Sequence, residues 1–257
     1  MRFCSLGSGS SGNATLVEVT SGGTAQRLLI DCGLPLKLLT ERLAQHGLSI
    51  QAIDAVFITH EHSDHVGCAR QLAVHHQRPI WMSRGTYGSM GSPDLVGQLR
   101  FACDDETVNL GSLQIHPFTV AHDAQEPLQL TVMGAGKRLG VLTDVGHVTP
   151  HITRRLHNLD ALILEFNHDA ALLQASKYPA FLKQRIAGDY GHLSNGQAGE
   201  LLRALIHPGL QHIVAAHLSE QNNAPHLVRQ VLESALAGHS CQMHIADAQL
   251  GCDWIET

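Results

Sequence analysis

Seven consecutive residues, Thr59-His60-Glu61-His62-Ser63-Asp64-His65, restrict this chain more than any other feature of it. They end the run Ile53–Thr59, whose apolar members Ile53, Ala55, Val56, Phe57 and Ile58 predict a strand covered on both faces. Three imidazoles and two carboxylates pack badly at the end of such a strand. A cation accounts for them better than a solvated polar loop does. If the strand direction persists, alternation sends His60 and His62 to one side, where they can share a metal. Asp64 and His65, beyond the bend, then face a second metal, and Glu61 points away from both imidazoles.

Composition limits the setting of this cluster. A chain of 257 residues lies within the size that one core can serve, and no linker, charge run or low-complexity stretch divides it, so one domain over residues 1–257 is expected. A net charge of −6 excludes a generally basic coat, so any phosphate binding must be local. Histidine is abundant, 19 residues against 17 Lys and Arg, but His46, His75, His76, His157 and His239 fall near expected helix ends, where the macrodipole favours them. Six scattered cysteines without a CxxC pair predict reduced thiols and a cytoplasmic protein. The first residues lack the basic and apolar segments of a signal peptide, and no apolar run reaches the roughly 18 residues of a membrane span, so no membrane association is expected.

The pattern along the chain predicts an α/β fold. Strands are expected at Met1–Leu6, Ala14–Thr20 and Arg27–Asp31, then a helix over Leu34–His46 that stops at Gly47. A helix at Gly67–His76 and a strand at Pro79–Met82 follow the histidine cluster, and strands dominate again at Leu113–Val120, Leu128–Val132 and Arg138–Leu142. The second half alternates helices at Pro150–His157, Asn195–Ile206 and Pro225–Ala237, and helical material through Ala170–Ala187, with strands at Ala161–Phe166, His212–Ala216 and, last, Gln242–Ala246. Two sheets covered by helices, a four-layer αββα sandwich, accommodate this order. Ser194 and Gln197 have capping-box spacing, which sets His192 just before a helix N-terminus that suits phosphate.

The motif His60-x-His62-x-Asp64-His65 resembles the HxHxDH signature of the metallo-β-lactamase-fold hydrolases. The resemblance implies further ligands after later strands, and His122, Asp144 and His217 stand in those contexts. Taken singly, these three read equally as a loop histidine, a turn aspartate before Gly146 and a core histidine. Asp31 resembles the aspartate that braces the metal loop in that family, and it reads equally as a turn residue before Gly33. The implied cofactors are two divalent metal ions, zinc or manganese: His60, His62 and His122 hold one, Asp64, His65 and His217 the other, and Asp144 bridges.

Further motifs narrow the resemblance. Gly7-Ser8-Gly9-Ser10-Ser11-Gly12-Asn13, Asn167-His168-Asp169, Gly191-His192-Leu193-Ser194-Asn195 and Ala216-His217-Leu218-Ser219-Glu220 are similar to the exonuclease-like branch of YycJ/WalJ type, with Phe166 standing where that branch has serine. The branch implies a 5′ to 3′ double-stranded-DNA exonuclease with DNA as substrate, a metal-activated hydroxide as nucleophile, Asp64 orienting it, and His192, oriented by Glu165, as general acid. His192 also reads as an imidazole packed at a helix start. Ser8, Ser10, Ser11 and Asn13 form either a phosphate-holding loop or a flexible turn between strands. The metal ligands alone equally permit an acyl hydrolase, a thioesterase or lactonase, of the same fold, and a non-catalytic metal-binding module is the third reading.

Overall fold

Strands β1 (Arg2–Gly7), β2 (Ala14–Ser21) and β3 (Thr24–Ile30) form an antiparallel meander, turned at Gly22-Gly23. In the computed structural model, which describes residues 1–257, β4 (Ala55–Phe57), β5 (Ile80–Met82) and β6 (Leu99–Phe101) continue this sheet in parallel. Helices α1 (Leu36–Gln45), α2 (Ser63–Val66), α3 (Ala69–His76) and α4 (Arg84–Ser89) occupy the connections. A second meander, β7 (Val108–Leu110), β8 (Leu113–Thr119), β9 (Leu128–Gly134) and β10 (Lys137–Leu142), opens the other sheet. Parallel strands β11 (Ala161–Glu165), β12 (His212–Ala216) and β13 (Gln242–Ile245) complete it, with α5 (Pro150–Arg155), α6 (Ala170–Ala175), α7 (Ala180–Ile186), α8 (Asn195–Leu205) and α9 (Pro225–Ala235) between them. Strand β14 (Cys252–Glu256) then returns to the first sheet, antiparallel to β1. The result is two mixed seven-stranded sheets flanked by helices.

Period-two alternation decides the layering. In β3, Leu28 and Ile30 face the space between the sheets while Leu29 faces the helices; Ala55 and Phe57 against Val56 repeat this in β4. Likewise Ile163 and Val214 join the central layer, and Leu162, Leu164 and Ile213 pack under α8 and α9. Both faces of these strands are therefore apolar, which is why their sequences read as continuous hydrophobic runs. Strands β8, β10, β11 and β12 point the same way, so their carboxyl ends open on one edge of the sandwich. No helix is long and apolar enough to cross a membrane, and none of the six cysteines is disulfide-bonded.

The structure corrects or sharpens several local expectations. The strand leading to the histidines ends at Phe57, so extended alternation does not carry through His60-Glu61-His62. The helical material expected over Ala170–Ala187 is present as two helices, α6 and α7, because Pro179 bars helical geometry at Tyr178 and lacks an amide. The last strand is Cys252–Glu256, whose only buried residue, Ile255, left little pattern to read. The short elements α2, α4, β6 and β7 carry too few residues to show a period.

The loops at the open edge are knitted by backbone hydrogen bonds. Asn13 N donates to Asp64 O at 2.8 Å, Gly33 N to Asn13 O at 2.9 Å, and Cys32 N to His65 O at 2.9 Å. A Cβ on Gly33 would lie far inside contact distance of the Asp64 carbonyl, and rigid backbone cannot yield as a side chain can. Gly33→Ala should therefore cost at least about 3 kcal/mol in urea unfolding, beyond the range of ordinary substitutions. Gly88→Ala, on α4 with open space around the added carbon, should be neutral or stabilising by up to about 1 kcal/mol. Equal effects of the two changes would remove the role given to this backbone contact.

Candidate metal centre

Each expected ligand sits just past a strand or in the loop after it, or, for Asp64 and His65, in the short helix α2, at that open edge. His60, His62 and His65 follow β4, His122 follows β8, Asp144 follows β10 and His217 follows β12. The structure brings all seven expected metal residues together. His60 Nε2 lies 3.1 Å from His62 Nδ1, and His62 Nδ1 lies 3.3 Å from His122 Nε2. Ligand atoms about 2.0–2.1 Å from one tetrahedral ion are spaced by roughly 3.3 Å, so these nitrogens stand as ligands of a single ion would. On the other side His65 Nε2 is 3.5 Å and His217 Nε2 3.7 Å from Asp64 Oδ2. Asp144 faces both groups, with Oδ1 3.9 Å from His122 Nε2 and Oδ2 3.2 Å from His65 Nε2.

The outer nitrogens explain why the inner ones converge. His65 Nδ1 donates to Asp31 Oδ2 at 2.8 Å, His122 Nδ1 to the Gly191 carbonyl at 3.1 Å, and His217 Nδ1 to Glu165 Oε1 at 3.0 Å. These partners accept only, so a proton must sit on Nδ1 and Nε2 must face inward, free to ligate once deprotonated. Thr59 Oγ1 donates to Asp31 and thereby offers His60 Nδ1 an acceptor at 3.0 Å. Asp31 is thus placed as a brace, also accepting from the Thr59 amide at 2.8 Å. Glu61 turns away to accept from the Gln125 amide.

The electrostatics fit a cation. Asp144 is buried, and its carboxylate faces the ligand imidazoles His65, His122 and His217. Burial alone lowers the His217 pKa, but Asp144, Asp64 and Glu165 outweigh it and raise it to about 10. Burial likewise opposes charge on His65, and Asp144 and Asp31 override it to hold its pKa well above the usual value. On the three-histidine side burial prevails, keeping His60 well below and His122 below the ordinary pKa, in the neutral form a metal needs. Three groups, His60–His62–His122, Asp64–His65–His217 and His60–His65–Asp144, could each hold an ion. A fourth, Asp144–Glu165–His192–His217, is geometrically close but already satisfied, since Glu165 accepts from His192 Nδ1, His217 Nδ1 and the amides of Leu193 and Val145.

The centre floors a cavity of about 260 Å³. His192, hydrogen-bonded through Nδ1 to Glu165 Oε1 at 2.8 Å, stands on its wall with Nε2 unpartnered. Within the glycine-serine loop, Ser10 borders the cavity and Ser11 is exposed beside it. Ser8 and Asn13 turn inward: Ser8 Oγ accepts from the His217 amide at 2.8 Å, and Asn13 Nδ2 lies 3.2 Å from Asp64 Oδ2. Sequence reasoning missed Asp123, Arg185 and the side chains of Tyr178, Leu182 and Ile186, all on the cavity wall. Asp123 Oδ1 lies 3.7 Å from His62 Nε2, and its other oxygen accepts from Arg185 Nε at 2.6 Å. Asp123 could have been suspected beside His122; nothing in the sequence marks α7 as a wall.

The sequence profile of the β-lactamase superfamily domain matches residues 26–217. The chain belongs to the metallo-β-lactamase superfamily of hydrolases, in the branch of the YycJ and WalJ proteins. It is 30% identical to exodeoxyribonuclease YycJ of Bacillus anthracis over 97% of each chain, and 32% identical to exodeoxyribonuclease WalJ of Streptococcus pneumoniae over 92% of this chain and 88% of that one. The fold matches that of the metallo-β-lactamase fold protein YhfI of Bacillus subtilis, with a TM-score of 0.73 at 17% identity over 100% of this chain and 99% of the other.

Metal binding should release protons. The carboxylates around His65 and His217 raise their pKa values in the metal-free chain and favour the protonated imidazoles, and each must give up its Nε2 proton to become a ligand. Calorimetric titration with zinc at pH 7 in buffers of different ionisation enthalpy should report net proton release. Binding without proton release would mean that these two imidazoles are not ligands. Asp144→Asn should lower metal content at both groups of ligands by elemental analysis, whereas loss at one only would remove its shared role.

Proposed function

We propose that the chain is a metal-dependent phosphodiesterase, an exodeoxyribonuclease that degrades duplex DNA from a 5′ end. The observation that carries the reading is His192 on the cavity wall beside the converged ligands, held from behind by buried Glu165 at 2.8 Å. Full-length similarity to relatives named exodeoxyribonucleases supports DNA as the substrate. His60, His62 and His122 would hold one ion, Asp64, His65 and His217 a second, and Asp144 would touch both. Nitrogen and carboxylate ligands suit zinc or manganese. Divalent ions bound there would lower the pKa of a water and neutralise charge developing on the phosphorus-bound oxygens.

The chain's own residues supply the remaining parts. Asp64 accepts a hydrogen bond from the attacking water and fixes its direction. Burial opposes protonation of His192, but the adjacent Glu165 carboxylate outweighs it and keeps the pKa above that of ordinary histidine. The imidazolium can then pass its Nε2 proton to the departing oxygen. Glu165 holds the ring by Nδ1 and, through His217, ties the acid to the ligand set. The amides and hydroxyls of Ser10 and Ser11 have no partner within the chain, and they are the groups we assign to the terminal 5′-phosphate. The unpaired cysteines suit a reducing compartment, and we place the activity in the cytoplasm.

His192→Ala should keep its metal and its unfolding transition but lose about 10²–10⁴ in kcat on DNA. Unchanged turnover would return His192 to a packing role. On defined duplexes, metal-replete protein should degrade 5′-phosphorylated ends faster than unphosphorylated ones, and Ser10→Ala with Ser11→Ala should abolish that preference without lowering metal content. Efficient cleavage of a thioester or lactone with intact DNA would replace the nuclease by the acyl hydrolase.

A further inference from the structure

The segment from α6 to Gly191 is built unlike the rest of the molecule. Helix α7 buries none of its residues, yet it is fixed to the centre from its ends. His192 N donates to Ile186 O at 2.8 Å, Asp123 N to Tyr190 O at 3.0 Å, and Arg185 Nε to Asp123 Oδ2 at 2.6 Å. Lys183 Nζ donates to Gln174 O at 2.6 Å, joining α7 to α6. The inner side of this overhang walls the cavity, while its outer side leaves Phe181 71% and Tyr190 64% exposed.

Composition is concentrated in the same place. Two of the four lysines in the chain, Lys177 and Lys183, and two of its three tyrosines, Tyr178 and Tyr190, lie here, with Arg185 and a single acid, Asp189, between Ala170 and Gly191. Arg185 is paired with Asp123 and Lys183 with the Gln174 carbonyl, so Lys177 is the free cation of this aromatic surface, which can complement a polyanion locally in a chain of net charge −6. Exposed aromatic rings beside cations are the means by which proteins hold unpaired nucleotides, rings stacking on bases and cations following phosphates. A cavity of about 260 Å³, below the usual 300–1,000 Å³ of ligand pockets, is too small to take in a duplex, so a single strand fits it better.

We propose, resting on the nuclease reading above, that the α6–α7 overhang binds the single strand parted from its complement at the duplex end, with Phe181 stacking on a base and Lys177 contacting a phosphate. The overhang therefore guides the strand to the ligands and takes no part in hydrolysis. The test uses the metal-replete full chain carrying Phe181→Ala and Lys177→Ala, both exposed, with two substrates: duplex DNA and a small phosphodiester, thymidine 5′-(p-nitrophenyl phosphate). KM for DNA should rise about five- to 150-fold, the range of one lost base–aromatic contact. The slope of log affinity against log salt should fall by about 0.7. Values of kcat/KM on the small diester should stay unchanged. An unchanged KM for DNA overturns the inference while leaving the nuclease reading intact, and so does an equal loss on both substrates, which would mean that the overhang shapes the cavity. Wild-type protein that cleaves the diester but leaves DNA intact overturns both.

Discussion

The structure depends on where the outer imidazole protons are held. Five histidines can turn lone pairs toward one another at the sandwich edge only if their other nitrogens are occupied, and acceptors do this for four of them at hydrogen-bonding distance. The acceptors come from distant segments: Asp31 after β3, Thr59 after β4, Gly191 before α8 and Glu165 at the end of β11. Aligning the strands thus sets the tautomers. The same demand shapes the backbone, since Asp31, Asp144 and His217 all adopt positive φ at 51–59° immediately or shortly after their strands. Aspartate and histidine tolerate that conformation better than most residues, though strain of order 1 kcal/mol remains for the surrounding fold to offset.

The layers and the ligands were legible because both rest on side-chain chemistry that the sequence spells out. Continuous apolar runs in β3, β4, β11 and β12 gave the buried strands, and histidine and aspartate at strand ends gave the donors. What could not be read was set by geometry. The Gly191 carbonyl that orients His122 has no side-chain signature, and Asp123 gains meaning only because α7 brings Arg185 to it. His60 and His62 meet although the strand expected to align them has ended, because His62 sits at the start of the short helix α2. In the serine loop, residue type alone could not tell Ser10, on the cavity, from Ser8, which caps the His217 amide.

The two groups of ligands are electrostatically unlike. The His60–His62–His122 side is nitrogen-rich, with burial holding His60 and His122 below the ordinary histidine pKa, while the other gathers Asp64, Asp144 and the field of Glu165. Such asymmetry suits hydrolysis in which one side fixes the water and the other faces the developing charge beside His192. The chain as a whole carries a net charge of −6, so the proposed DNA substrate would have to be met locally, at the cavity rim and the overhang.

The central claim is that these inner atoms form two adjoining cation sites, and anomalous diffraction from crystals grown with manganese or zinc tests it most directly. The account predicts two peaks per chain, one contacted by His60 Nε2, His62 Nδ1 and His122 Nε2, the other by Asp64, His65 Nε2 and His217 Nε2, with one Asp144 oxygen toward each. A single peak, or an ion held by Glu165 and His217 Nδ1, would contradict it.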